Sequence, residues 1–120
     1  MKRKGISTAS RKAKGRKLQQ TVRDKILECL PELEPDDCRS TGMGQNGEDL
    51  QLSPAARKLF PYSVECKSLA RFAGYNYYDQ AKVNSPTYAE PIAVVKANNR
   101  KPLVLVDAEY FIELVTKGKT

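Results

Sequence analysis

Asp49 lies in Gly47-Glu48-Asp49-Leu50-Gln51-Leu52, and Glu65 and Lys67 lie in Phe60-Pro61-Tyr62-Ser63-Val64-Glu65-Cys66-Lys67. The first stretch reads as a short apolar strand carrying an acid, the second as a strand carrying acid-x-lysine. Alternate residues of a strand share a face, so Glu65 and Lys67 project together while Cys66 points the other way. Two carboxylates beside one ammonium are what metal-assisted phosphodiester hydrolysis needs. Asp49, Glu65 and the Cys66 carbonyl oxygen would supply ligands to Mg²⁺, leaving places for a phosphate oxygen and several waters. A water activated there can attack phosphorus in line, and a second cation would stabilise the leaving oxygen. Lys67 either assists that activation or stands as a fixed charge against the developing phosphorane.

Acid-x-lysine alone is abundant in soluble proteins, and Glu65, Lys67 and the Glu48-Asp49 pair also read as ordinary strand-surface and turn charges. The order of the elements around them favours the chemical reading. Histidine is absent from the 120 residues, which excludes His-dependent nucleases, His-containing triads and His-based zinc sites. Cys29, Cys38 and Cys66 are an odd set without C-x-x-C spacing and read as free thiols of a reducing compartment.

These residues resemble the PD-(D/E)XK nuclease superfamily, and within it the small phage and archaeal Holliday-junction resolvases. The likeness runs over about residues 15–115, with Glu48 where the proline of the superfamily's name would stand. It implies a restriction-endonuclease-like α/β core, a mixed central sheet flanked by helices in αβββαββα order. It also implies a Mg²⁺ cofactor that Mn²⁺ can replace, and a homodimer cutting branched DNA in phage recombination or replication. In the family a glycine precedes a helix that bears an acidic metal-site residue four positions later. Gly15-Arg16-Lys17-Leu18-Gln19 has that layout, with Gln19 in place of the acid and Glu28 or Glu48 as substitutes. The family's glutamine after the E-x-K strand matches Gln80 in Tyr77-Tyr78-Asp79-Gln80-Ala81. The likeness thus adds Gln19 and Gln80 to the catalytic set. Two other readings stay open: a nicking, exonucleolytic or restriction-type enzyme of the same fold, and a DNA-binding protein without catalysis.

Charge points to the same partner. The net charge is +7, and residues 1–17 contain eight cations and no acid. The remainder holds 13 cations and 14 acids, so the excess is local. A basic arm over 1–14, read as disordered, would neutralise phosphates and add salt-dependent affinity without sequence information. Lys12, Lys14, Arg16, Lys17, Arg39 and Arg57 are the expected DNA contacts. No apolar run is long enough to span a membrane and no signal-peptide pattern follows the basic start, so a cytoplasmic protein is expected, in the host if the chain is of phage origin.

The elements that must position the site form one domain over 15–117. Leu18, Val22, Ile26, Leu27 and Leu30 fall at helical spacing, and Pro31 and Pro35 end that helix. Gly42, Gly44 and Gly47 make a loop before the Asp49 strand; it lacks the lysine and helix of a nucleotide-binding loop. Ser53 caps and Pro54 starts one helical turn between the two acid-bearing strands. A helix over 69–83, open to a break near Gly74, carries Phe72, Tyr75, Tyr77 and Tyr78, which read as packing residues or as base-stacking platforms. Residues 91–96 and 102–106 read as strands buried on both faces, joined by a turn at Asn98-Asn99-Arg100-Lys101. Asp107 caps a last amphipathic helix.

Overall fold

A computed structural model describes residues 8–41 and 48–119 of the chain. Lys2, Arg3 and Lys4 of the expected arm, and Gly42, Gly44 and Gly47 of the expected loop, lie outside the described residues. Helices and strands are mixed in the order α1 (Thr8–Cys29), a 3-10 turn (Pro35–Asp37), β1 (Cys38–Ser40), β2 (Leu50–Leu52), α2 (Pro54–Leu59), α3 (Gly74–Asn84), β3 (Ala93–Val95), β4 (Leu103–Leu105) and α4 (Ala108–Thr116). The chain is α/β, as expected, and its described strands form two antiparallel pairs, β1–β2 and β3–β4. The chain divides into two compact units, Met1–Ser68 with Ile112–Thr120, and Leu69–Phe111.

In the first unit α1 starts at Thr8, so residues 8–14 of the expected disordered arm are helical. Ala9, Arg11, Lys12, Ala13 and Lys14 are good helix formers, but an apolar periodicity cannot register turns that show no apolar face. Gly15, expected ahead of the helix, is buried within it, on a stripe with Gln19, Ile26 and Leu30. Their separations of four and seven residues place them on one face, and that face packs on β1. Arg23 fastens the far end: Nε donates to the Cys38 carbonyl at 2.7 Å and Nη2 to the Pro35 carbonyl at 3.1 Å.

The β1–β2 register sets Cys38 opposite Leu52 and Ser40 opposite Leu50. Cys38 and Leu50 join Ile26, Leu30, Ala56, Phe60 and Ile112 as the buried apolar core. Each large side chain among them contributes about 1.5–3 kcal/mol by leaving water. As expected, Ser53 caps α2, its hydroxyl accepting from the Ala56 N–H at 3.1 Å with Pro54 next in the helix. Ser53 Oγ also donates to Asp37 Oδ1 at 2.7 Å, and its backbone N–H donates to the Asp37 carbonyl at 2.8 Å.

Residues 62–67, expected as a third strand, make no ladder. One backbone bond reaches β2's entry, from the Asp49 N–H to the Val64 carbonyl at 3.0 Å. The pairing stops because the next donor, the Cys66 N–H, goes to the Asp49 carboxylate and not to a backbone oxygen. The Asp49 carbonyl is itself taken by the Thr41 N–H at 3.0 Å.

The second unit differs more from expectation. The helix begins at Gly74, where the break falls, and not near residue 69; the Phe72 ring lies against the Gly74 backbone, where any β-carbon would collide with it. That ring then meets Tyr75 edge-on at 5.8 Å. β3 and β4 pair Ala93 with Leu105 and Val95 with Leu103. Asn99 turns the chain between them at φ 61°, a left-handed conformation that asparagine tolerates. The strands are not buried on both faces: Val94 is 67% and Leu103 68% exposed, and no residue over 69–111 is buried. Two strands and one helix supply no layer for the second face. Asp107 caps α4 as expected, accepting from the Tyr110 N–H at 2.9 Å. Ile112 and Thr116, at the far end of α4, are buried, and Glu113 pairs with Lys25 of α1 at 2.7 Å.

Candidate active site

Asp49 is held from three sides. Its backbone N–H and carbonyl bond to Val64 and Thr41. Thr41 Oγ1 adds a 3.1 Å bond to the same carbonyl. Its Oδ2 accepts from the Cys66 N–H at 2.6 Å. That last bond links Asp49 directly to the acid-x-lysine segment. Exposure alternates along Val64, Glu65, Cys66 and Lys67, half-buried then exposed, so Glu65 and Lys67 share the outer face although no strand forms. Neither makes a hydrogen bond or ion pair among the described residues. Burial first, and then the charges of Asp49 and Glu65, push the Cys66 thiol above its usual range. Both carboxylates therefore bear on the same thiol, which stays protonated at neutral pH.

As a cation site this is a sparse donor set. Among the described residues no three His, Cys, Asp or Glu side chains converge on one point, so an all-protein cage is not formed. Two carboxylates are still sufficient for Mg²⁺, which keeps most of its waters and takes its remaining oxygens from substrate phosphate. The charge and hardness of the two oxygen donors fit that ion and not a zinc centre built on thiolate and imidazole.

Gln19, the residue standing where the helix acid is expected, is 3% exposed. A buried amide needs partners, and Gln19 Oε1 accepts from Ser40 Oγ at 2.5 Å. Ser40 pairs across the sheet with Leu50, the neighbour of Asp49. Glu28 does not substitute for it. Nine residues along a helix of 3.6 per turn is two and a half turns, which places Glu28 on the opposite face from Gln19, exposed and contributing to the raised pKa of Lys25. Glu48 is closer in sequence but engaged: Oε1 meets Arg57 Nη2 at 2.6 Å. Its Oε2 is buried without a hydrogen-bond partner among the described residues. The Arg57 bond, and after it the Ser63 hydroxyl, hold the Glu48 carboxyl below its ordinary value.

Arg57, expected on DNA, thus serves an internal clamp, since Nη1 also donates to the Tyr62 carbonyl at 2.5 Å. It joins the entry of β2 to the start of the acid-x-lysine segment. Lys12, Lys14, Arg16 and Lys17 are exposed on α1 and Arg39 is exposed on β1, as phosphate contacts require. Gln80 is exposed on α3, in the other unit. Sequence reasoning missed Ser40, Thr41 and the Arg57–Glu48 pair. A glutamine within the buried stripe of α1 is the one signal that pointed to a polar partner. Comparison with protein-family models, curated proteins and solved structures finds no match to this chain.

Proposed function

We propose that the chain is a Mg²⁺-dependent DNA endonuclease on a restriction-endonuclease-like core, selective for branched DNA and acting as a homodimer. The observation that carries this reading is the 2.6 Å bond from the Cys66 N–H to Asp49 Oδ2. That bond ties Asp49 to the segment, 17 residues further on, that bears Glu65 and Lys67. Asp49 and Glu65 would hold the cation, which when bound supplies Lewis acidity and a more acidic water. Asp49 is anchored through Oδ2, which leaves Oδ1 for the cation, and Glu65 adds the second charge. Lys67, on the same exposed face as Glu65, stabilises the charge that gathers on the phosphate as its bond to the leaving oxygen breaks. The cations of α1 draw the backbone in without reading its sequence. Two symmetric cuts across a junction need two such sites, which a two-fold dimer provides.

One observation favours DNA binding without cleavage: Gln19 carries no charge and is already bonded to Ser40, so no third acid completes the set. Cleavage of a synthetic four-way junction, beside linear duplex, single-strand and flap DNA, with Mg²⁺ or EDTA, separates the two. Paired Mg²⁺-dependent nicks near the branch are expected. Cutting of linear DNA instead points to a nicking, exonucleolytic or restriction-type enzyme, and binding with no cutting in Mg²⁺ or Mn²⁺ removes the catalytic reading.

A further inference from the structure

We propose that the open face of the Leu69–Phe111 unit, between α3 and the β3–β4 hairpin, is a binding subsite for an unpaired DNA strand. A cleft of about 850 Å³ lies there, walled by Tyr77, Val94 and Leu103 and edged by Lys96, Arg100 and Lys101. That volume is within the roughly 300–1,000 Å³ of ordinary ligand sites. The hairpin over 91–106 contains these three cations and no acid. None of them makes an ion pair among the described residues, whereas Arg23, Lys25 and Arg57 of the other unit all do. Lys96 Nζ reaches only its neighbour's carbonyl, Ala97 O at 3.1 Å.

The walls are as telling as the rim. Tyr77 is 57% exposed although it is on the helix that packs against β3. An aromatic ring left open beside apolar strand residues and unpaired cations suits a ligand with flat apolar faces and a repeating negative charge. A nucleic-acid strand has both: its bases stack on tyrosine, and its phosphates meet the lysines and arginine. In a duplex the base faces are hidden by their own stack, so the tyrosine selects an unpaired strand. A second copy of this unit is a poorer occupant, because it would bring the same three cations against these. The choice of DNA over RNA rests on the endonuclease reading; the phosphate and base chemistry does not.

The test measures fluorescence anisotropy of a labelled oligothymidylate, and of a duplex of equal length, with the full wild-type chain in EDTA. Three variants are compared: Lys96→Gln with Arg100→Gln and Lys101→Gln together, Tyr77→Ala, and Tyr77→Phe, each checked for native circular dichroism. The triple variant should bind the single strand at least about tenfold more weakly, and its salt slope should fall by about 2, at 0.7 per lost phosphate contact. Tyr77→Ala should cost on the order of tenfold and Tyr77→Phe almost nothing, since a phenyl ring still stacks. Unchanged single-strand affinity in both the triple variant and Tyr77→Ala overturns the subsite. So does a loss that accompanies a change of mass in sedimentation, which would make the face a self-interface. Junction cleavage by wild type with unaltered strand binding in the variants sinks the subsite alone. Lost strand binding in a chain that never cuts sinks the nuclease alone.

Discussion

Asp49 has two oxygens in different situations: Oδ2 accepts the Cys66 N–H, and Oδ1 has no hydrogen-bond partner among the described residues. Asp49→Asn keeps an oxygen for Cys66 and removes only the charge. It should therefore fold normally, cut a junction at least about 10²-fold more slowly, as loss of a key charged group does, and bind DNA as well as before or better. Glu65→Gln should behave alike, since Glu65 has no hydrogen bond or ion pair to lose among the described residues. Cleavage rates read beside anisotropy check both, and a variant that cuts at the parental rate removes its residue from the site. Gln19 makes a different prediction. Gln19→Leu leaves the Ser40 hydroxyl without its partner in a half-buried place and should cost roughly 1–3 kcal/mol in urea unfolding. An unchanged midpoint would mean that this bond does not steady the core. Glu65 and Lys67 were legible together because strand alternation needs no partner to be known. Ser40 and Arg57 were not, because their roles depend on residues that only the fold brings near.

At the level of elements, the joint between the 3-10 turn, β2 and α2 rests on Ser53, which caps Ala56 and donates to Asp37. Ser53→Ala loses both bonds and should lower stability by about 1–2 kcal/mol, read as a fall in melting temperature; no fall would show the cap to be idle. The Ser53 hydroxyl first, and then the Glu34 N–H, hold the Asp37 carboxyl below its ordinary 3.8, as Arg57 holds Glu48 below 4.5. Carboxyls with lowered values bind fewer protons folded than unfolded. Their contribution is thus complete above about pH 5 and disappears as the pH falls through the lowered values. Melting temperature should drop in that acid range, and less steeply in Asp37→Asn; an equal slope in that variant would remove Asp37 from the account. The caps at Ser53 and Asp107 and the turn at Asn99 were readable because each depends on chemistry within a few residues. The third strand was not, since the Asp49 carboxylate diverts the donor its ladder needs. The start of α1 was hidden because its first turns are polar all round.

Over the whole molecule the net charge of +7 comes from 21 cations against 14 acids, with eight of the cations in the first 17 residues. On the five of these cations that lie in α1, the helix imposes a geometry that a disordered arm would not. Lys12 and Arg16 are four apart and Lys14 and Lys17 three apart, so each pair shares a face. The pairs themselves point about 140–160° from one another at 100° per residue. One duplex lying along α1 can meet one pair closely and the other only at its edge. Lys12→Gln with Arg16→Gln, and Lys14→Gln with Lys17→Gln, should therefore be unequal. One double variant should lower the salt slope of duplex binding by about 1.8, at 0.9 per phosphate contact, and the other by clearly less. Anisotropy titrations across a range of salt measure both. Equal losses would mean that the segment meets DNA as a flexible chain with all its cations engaged. An unchanged slope in the fourfold variant would take the phosphate contact away from these four cations of α1.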